Sequence, residues 1–445
     1  MKRLRGIRAA RPLLDVARFQ PKKIPISKEI FLPMGTPWGD LTPLVKIHDE
    51  VTAGQMIARD EMDLAPSLHA SVSGVITAIK SCNVHAHAET QCVVIRPDEK
   101  AAGEPVRANI EAGESPKDLA QRISGAGIKD IDSHKWPLPW RITRPDALPD
   151  ALSSEPALQQ PIEVLIVNGM DRQPGVSLRS GTLESRGKDI LESIPFLKKL
   201  SGAQRICLTV HDAPNFPTNI ESEFASQSVE VIRCPNTYPI ALVPMVAQYV
   251  SGKEVPQPSG DTRSVGVAVI DVISAIHVLE AARDGQPATQ STIQISGMTD
   301  GSAQFVTVPE GALLEDVLSK LDGSARNAVK AVVGGPFLGY AQYQLRIPLT
   351  ADIDAVFFQD QQEVIRYSDD PCINCGFCVR TCPMALLPNE LSKYCEYGKF
   401  EKAEENDLFH CIECGICAYV CPARRPMVHL LRHGKHEILA SRTEL

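Results

Sequence analysis

The chain has 445 residues, of which 43% are hydrophobic and 22% charged, and a formal net charge of −8. That length exceeds one ordinary core and predicts about three or four domains. The acidic balance excludes nucleic acid as the main partner, because phosphate binding needs a basic face.

The first stretch, "MKRLRGIRAARP", is basic with no apolar run behind it. It reads as a solvated arm rather than a secretory signal, or more sharply as a dock for an acidic subunit or a membrane surface. No run is long enough to cross a bilayer, and the best candidate, Tyr238 to Val250, is short and broken by prolines. Residues 41–80 contain "LTPLVKIHDEVTAGQMIA" and "LHASVSGVITAIK", short β-branched strands with turn signals at Gly54 and Gly74. The pattern resembles the barrel-sandwich hybrid of biotinyl and lipoyl domains, which carry a cofactor on a hairpin lysine. The hairpin here, "RDEMDLAPS", has no lysine, so no swinging arm can be attached. His48, His69, His85 and His87 read as ordinary histidines before they read as metal ligands.

A Pro-, Gly- and Glu-rich stretch from Pro97 to Glu114 marks a boundary. Strand and helix then alternate over 106–260: "IEVLIVNG", "QRICLTV" and "VEVIRC" read as strands, and "SRGKDILESIPFLKKL" as an amphipathic helix. That alternation predicts an α/β layer with a mainly parallel sheet. From residue 261 a helix capped by Asp271 and ended by Gly285 precedes strands "STIQISG" and "AQFVTVP" and the helix "GALLEDVLSKL". This predicts a β-grasp-like unit. The following "VVGGPFLGY" lacks the spacing of a dinucleotide or P-loop fingerprint, so tight packing is its expected use.

Thirteen cysteines carry the strongest signal, because eight fall in two copies of C-x2-C-x2-C-x3-C-P. The copies are "CINCGFCVRTCP" from Cys372 and "CIECGICAYVCP" from Cys411. Three cysteines at two-residue gaps wrap three irons of a cubane, and the displaced fourth, followed by proline, ligates the other cluster. Cys372, Cys375, Cys378 and Cys421 are therefore assigned to one [4Fe–4S] cluster, and Cys411, Cys414, Cys417 and Cys382 to the second, with Pro383 and Pro422 shaping the exits. Gly376 and Gly415 are expected because a side chain there would meet a cluster. Structural zinc is the competing reading, but it usually takes separated C-x2-C pairs. Clustering of this kind, in place of an even scatter, points to a reducing, cytoplasmic setting.

Between the loops, Asn389 is expected to cap a helix carrying Leu391, Tyr394 and Cys395, with Cys395 a buried thiol. A charged helical turn from Phe400 to Glu405 returns the chain. The tail carries Met427, Leu430 and Leu431 on its apolar side, and Arg424, Arg425, Arg432 and Lys435 as a solvated basic face. Beside a cluster that charge would also attract an acidic redox partner.

With these blocks in order, the chain resembles the C subunit of the Rnf electron-transport complex. The likeness is clearest in "VKIHDEVTAGQMIA", "HASVSGVI", "VTVPEGALLEDVL", "VVGGPFLG" and the two cysteine loops. Kin include the cobalamin reductase of the propanediol microcompartment, the A subunit of the sodium-pumping quinone reductase and the flavoprotein subunit of respiratory complex I. The resemblance implies a multidomain α/β and α+β chain. Residues 1–105 would form a barrel-sandwich hybrid, 106–260 a complex I flavoprotein-like α/β domain of FMN/NADH type, 261–360 a soluble-ligand-binding (SLBB) β-grasp domain, and 361–445 a helical two-cluster ferredoxin domain. In working members NADH gives hydride to FMN, which passes single electrons to the clusters.

The chain departs from that pattern where hydride is accepted. The family's A-G-I, one residue, then G-x-G-G-A-G-F-P, is here "AGIKDIDSHKWPLPW". Asp130, Asp132, Ser133, His134 and Lys135 replace the glycines and alanine, and only Pro137 survives. Those glycines allow backbone amides to approach nucleotide phosphates, which side chains obstruct and carboxylates repel. N-G-A-E-C-E-P has become "NGMDRQP" from Asn168 to Pro174, with Asp171 and Gln173 in place of the two glutamates. Y-P-x-G-A-E-K has become "YPIALVP" from Tyr238.

The resulting expectation is an iron–sulfur electron-transfer subunit without its own flavin and with no catalytic residue. It would relay single electrons through two [4Fe–4S] clusters within a larger redox complex at the cytoplasmic membrane face. A ferredoxin or flavoprotein would serve as donor or acceptor. The alternative is a flavin-dependent NAD(P)H, cobalamin or quinone reductase with a remodelled FMN pocket. A third reading makes the clusters structural staples between docking modules.

Overall fold

Two apolar runs, Gly74–Cys82 and Thr90–Pro97, pair antiparallel and form the centre of a four-stranded sheet completed by Ile30–Pro33 and Glu50–Val51. The computed structural model describes residues 6–8, 19–24, 28–36, 39–85, 89–98, 114–129, 132, 137–212, 218–257, 259–297, 303–321 and 328–443. Thr42–Pro43, Met56–Arg59 and Leu68–His69 form a facing three-stranded sheet. Between them lie Leu32, Ile57, Ile76, Val93 and Ile95, all fully buried. The lysine-free hairpin is anchored instead of free: the Trp140 indole N–H donates to the Leu64 carbonyl at 2.7 Å. The central hairpin also brings Cys82 and Cys92 together as a disulfide pair with Cα atoms 6.1 Å apart.

Val164–Asn168 is apolar on both sides because its sheet is covered on both faces. Leu165 and Val167 enter one core, while Val164 and Ile166 enter the other. The sheet is wholly parallel, in the order Val229–Cys234, Arg205–His211, Val164–Asn168, Val267–Asp271. Helices Leu178–Ser201, Val272–Asp284 and Pro116–Gly125 cover the first face, and Val243–Ser251 covers the second.

One boundary differs from the sequence expectation. Val267–Asp271 and the helix Val272–Asp284, assigned above to the β-grasp unit beginning at 261, are the fourth strand and its helix in this parallel sheet. Asp271 does cap that helix, accepting from the amides of Ile273 and Ser274, and Gly285 ends it in the left-handed conformation. The local pattern reads the helix correctly and says nothing about which sheet it joins.

The β-grasp sheet runs in the order Lys22–Lys23, Ala303–Pro309, Gln290–Gly297, Ala355–Gln359, Lys330–Val333, Tyr340–Gln342, with the helix Leu314–Ser319 against it. Its edge strand comes from ahead of the barrel-sandwich. Ile293, Val306, Val356 and Phe358 share one continuous core with Ile30, Leu32, Ile57 and Val93. The first and third blocks of sequence therefore fold as one packed body. The described part of the basic N-terminal stretch is also tied down, since Ile7–Arg8 pairs antiparallel with Thr237–Tyr238.

Candidate metal centre and the adjoining cleft

The two cysteine motifs build the same backbone twice. Asn374 and Glu413 both have φ 54°, Gly376 and Gly415 have φ 73° and 79°, and Ala385 and Arg424 have φ 56° and 49°. Short helices Phe377–Thr381 and Ile416–Tyr419 start at the two glycines. Glycine takes that left-handed conformation without strain. At Gly415 a Cβ would meet the carbonyl oxygen of Phe337 at 3.0 Å. In each copy the amide two residues on points at the first thiol, Asn374 N to Cys372 Sγ and Glu413 N to Cys411 Sγ, both at 3.4 Å.

Cys382, the last cysteine of the first motif, lies with the first three of the second. A cavity of about 400 Å³, counting space open to solvent, is lined by Cys382, Cys411, Cys414, Cys417 and apolar neighbours such as Leu391 and Ile416. Burial first, and then the thiols of Cys411 and Cys382, push the Cys414 thiol up to about 12. Burial pushes Cys417 well above the usual range, with Cys411, Cys414, Cys382 and Cys378 adding to it. Cys378 is raised by burial and by Cys372 and Cys375. Cys421 is half-buried at the end of the second copy. Among the described residues no group of three or more His, Cys, Asp or Glu side chains could hold a single metal ion.

The basic tail is not a solvated face, apart from exposed Arg424. Glu413 accepts from Arg432 Nε at 2.9 Å and from Lys435 Nζ at 2.8 Å, and Lys435 also donates to the carbonyl of Cys411 at 2.7 Å. Burial works to raise the Glu413 carboxyl, but the two cations outweigh it and hold it below its ordinary range. Arg425 is buried against Glu396 and donates to the carbonyl of Asp370 at 3.1 Å. Sequence reasoning missed these ties because each partner is distant along the chain. The helix Pro388–Glu396 starts from Leu387, and Asn389 lies inside it, bonded to Glu390, so Asn389 is not the cap. Cys395 is the buried thiol expected, raised by burial to about 11 and packed so closely that a Cβ on Gly434 would overlap its sulfur.

The second loop is docked on the rest of the molecule. Tyr238 donates from its hydroxyl to the carbonyl of Cys414 at 2.6 Å, and its ring lies 4.9 Å from that of Phe337. Phe337 belongs to the glycine-rich stretch, which is used for packing: Gln173 Nε2 donates to the Gly334 carbonyl at 2.7 Å. Its Oε1 accepts from the amides of Phe337 at 2.9 Å and Leu338 at 3.1 Å.

The three departures from the flavin pattern are linked by buried contacts: Arg172 pairs with Asp132, and Asn168 Nδ2 donates to the Ala241 carbonyl at 2.9 Å. Asp132 is buried between Arg172 Nε at 3.1 Å and Arg179 Nη2 at 3.0 Å, and Arg172 also lies 3.6 Å from Asp354. Asp171 accepts from the amides of Arg179 at 2.9 Å and Ser180 at 3.2 Å, at the start of the helix Leu178–Ser201, and from the Ser180 hydroxyl at 2.5 Å. Burial raises the carboxyls of Asp171 and Asp354 despite these partners. Asn168 is fully used within the fold, donating to Ala241 and accepting from Thr209 and Met170. Asp130, Ser133, His134 and Lys135 lie outside the described residues, as does His87. Of the other histidines, His48 is exposed, His85 pairs with Asp352 at 3.3 Å, and burial lowers His69 to about 4.

The chain matches the RnfC Barrel sandwich hybrid domain over residues 17–100, the Nuo51 FMN-binding domain over 147–280 and a 4Fe-4S dicluster domain over 368–434. The C subunit of the proton-translocating ferredoxin:NAD(+) oxidoreductase complex of Clostridium ljungdahlii is 29% identical over 421 residues, covering 93% of this chain and 89% of that one. The C subunit of the Na(+)-translocating ferredoxin:NAD(+) oxidoreductase complex of Acetobacterium woodii is 26% identical, covering 93% and 91%. A solved NAD+-reducing [NiFe]-hydrogenase chain is similar over 71% of this chain and 63% of that one at TM-score 0.47 and 16% identity, too slight to bear on function. The barrel-sandwich, the flavoprotein-like parallel sheet and the 4Fe-4S dicluster unit follow one another along the chain, which is RnfC-like over most of its length.

Proposed function

We propose that the chain is an electron-transfer subunit holding two [4Fe–4S] clusters and no flavin of its own. Cys411, Cys414, Cys417 and Cys382 would hold one, and Cys372, Cys375, Cys378 and Cys421 the other. The cavity around Cys382 carries this reading, because it gathers a cysteine of the first motif with three of the second. Burial first, and then neighbouring thiols, raise Cys411, Cys414 and Cys417 in this apolar recess, and a cationic iron–sulfur core relieves that repulsion. Structural zinc usually takes cysteines in two separated C-x2-C pairs, whereas these motifs hold them in threes with a displaced fourth. Bound there, [4Fe–4S] clusters carry single electrons. The protein's part is to exclude water with Leu391, Ile416 and Leu431, and to hold the loops by Glu413, Arg432 and Lys435.

The cleft residues do not fit FMN. Asp171 takes helix amides that an anionic ligand would need, and Asp132 neutralises the two arginines beside them. The match to the FMN-binding domain begins at residue 147, beyond the Ala126–Trp140 stretch. That same match favours the second reading, a flavin reductase with a remodelled pocket. In the first reading electrons come from a separate donor subunit or a ferredoxin-like carrier and leave to another subunit of a redox complex. The relatives are subunits of ion-translocating complexes, and no helix among the described residues is long and apolar enough to cross a membrane. Docking at the inner membrane face is the arrangement proposed. The test is optical: dithionite should bleach the cluster absorbance of anaerobic protein, and NADH should leave it unchanged. Bleaching by NADH alone would replace this reading with the second.

A further inference from the structure

The two cysteine motifs repeat one backbone, yet their surroundings differ. Cys375, close to Phe377 at 47% exposure, is half-exposed where its counterpart Cys414 is buried, while Cys372 and Cys411 are alike half-exposed and Cys378 and Cys417 alike buried. The Cys411–Cys417 loop is pressed against the parallel-sheet and β-grasp units by Tyr238, Leu242, Phe337 and Leu338. The Cys411–Cys417 loop has a donor from outside the dicluster unit in Tyr238, whose hydroxyl meets the Cys414 carbonyl at 2.6 Å in a buried setting.

We propose that Tyr238 is a positioning residue for the cluster of Cys382, Cys411, Cys414 and Cys417, fixing the loop across the unit boundary and raising that cluster's reduction potential alone. The inference rests on the cluster assignment above. A reduced cluster carries one more negative charge than an oxidised one, so any fixed dipole with its positive end towards the cluster favours reduction. The Tyr238 O–H places its positive end on the backbone carbonyl oxygen of Cys414, a ligand of that cluster. Its effect is strong for a neutral group because the site is dry. Its place is held from two sides: Ile7 pairs with it along the backbone, and the Phe337 ring packs against its own at a tilt of 46°.

Tyr238→Phe keeps the ring and removes the donor. In redox titrations followed by electron paramagnetic resonance, one of the two clusters should become about threefold to tenfold harder to reduce, at ~59 mV per tenfold for one electron. The other cluster should not move, and iron content should stay at the wild-type level. Amide hydrogen exchange at Ile416 and Cys417 should quicken, a readout that does not depend on electron transfer. Phe337→Leu, which keeps the hydroxyl, should leave both potentials in place. Unchanged potentials at full iron content would overturn the proposal, and so would an equal shift from Phe337→Leu. If wild-type protein carries no iron, the cluster reading fails, and the exchange rates still decide whether Tyr238 holds the loop.

Discussion

Asp132→Ala removes the carboxylate that two buried guanidiniums share. Asp132 and Arg179 have side chains 7% and 2% exposed, so neither charge can recover its solvation in water. Breaking a buried pair from one side costs ~3–5 kcal/mol, because the surviving charge is left uncompensated. Arg172 keeps Asp354 at 3.6 Å, which places the expected loss at the low end, about 3 kcal/mol. That is a large share of the ~5–15 kcal/mol by which a domain is usually stable. Hydrogen exchange of the Val164–Asn168 amides, measured anaerobically at constant pH, reads it as a roughly hundredfold loss of protection, at ~1.4 kcal/mol per tenfold. Inorganic phosphate should restore part of the protection in the variant and none in the wild type, since only the variant has lost the carboxylate between the two guanidiniums. Asp132→Leu combined with Arg179→Met should recover most of the loss, as apolar replacement of a buried pair is often neutral. A loss under about 1 kcal/mol, or a double variant no better than the single one, would refute the view of Asp132 as an internal counter-ion.

Cys382→Ala should remove the cluster of the Cys411 motif and spare that of Cys372, Cys375 and Cys378, as magnetic resonance of the remaining cluster would tell; the reverse pattern would mean that each motif keeps its own fourth ligand. Gln173→Ala strips three hydrogen bonds from the glycine-rich stretch, at ~1 kcal/mol each, and should speed exchange at the Phe337 and Leu338 amides without releasing iron. His69 is held neutral by burial, with its pKa lowered from 6.5 to about 4. The unfolded chain binds that proton first, so stability from His69 is complete above pH 6.5 and is lost as pH falls towards 4. The loss is ~2 kcal/mol at pH 5. His69→Gln should flatten the unfolding profile between pH 7 and pH 5, and an unchanged slope would contradict the assignment.

What could be read from the chain alone follows the range of the forces involved. Strand Val164–Asn168, helix Val272–Asp284 with its Asp271 cap, and the turn Phe400–Glu405 are written in local periodicity and capping, and they form as expected. The pairing of Cys382 with the second motif was also legible, because the displaced cysteine and its proline force the chain out of its own loop. Long-range partners were not. Nothing near Arg432 or Lys435 announces Glu413, so a clamp on a cysteine loop reads as surface charge. Asp171 reads as a lost glutamate, whereas in the fold it closes a helix end. The shared core of the first and third blocks escapes any linear reading, because its halves are separated by the whole parallel sheet.

The account stands most directly on the composition of the protein as purified without oxygen. Iron, acid-labile sulfide, zinc and flavin measured on one sample should give about eight irons and about eight sulfides per chain, with neither flavin nor zinc. FMN at one per chain would show the cleft beside Asp132 to be a working hydride port, and zinc in place of iron would remove the relay altogether.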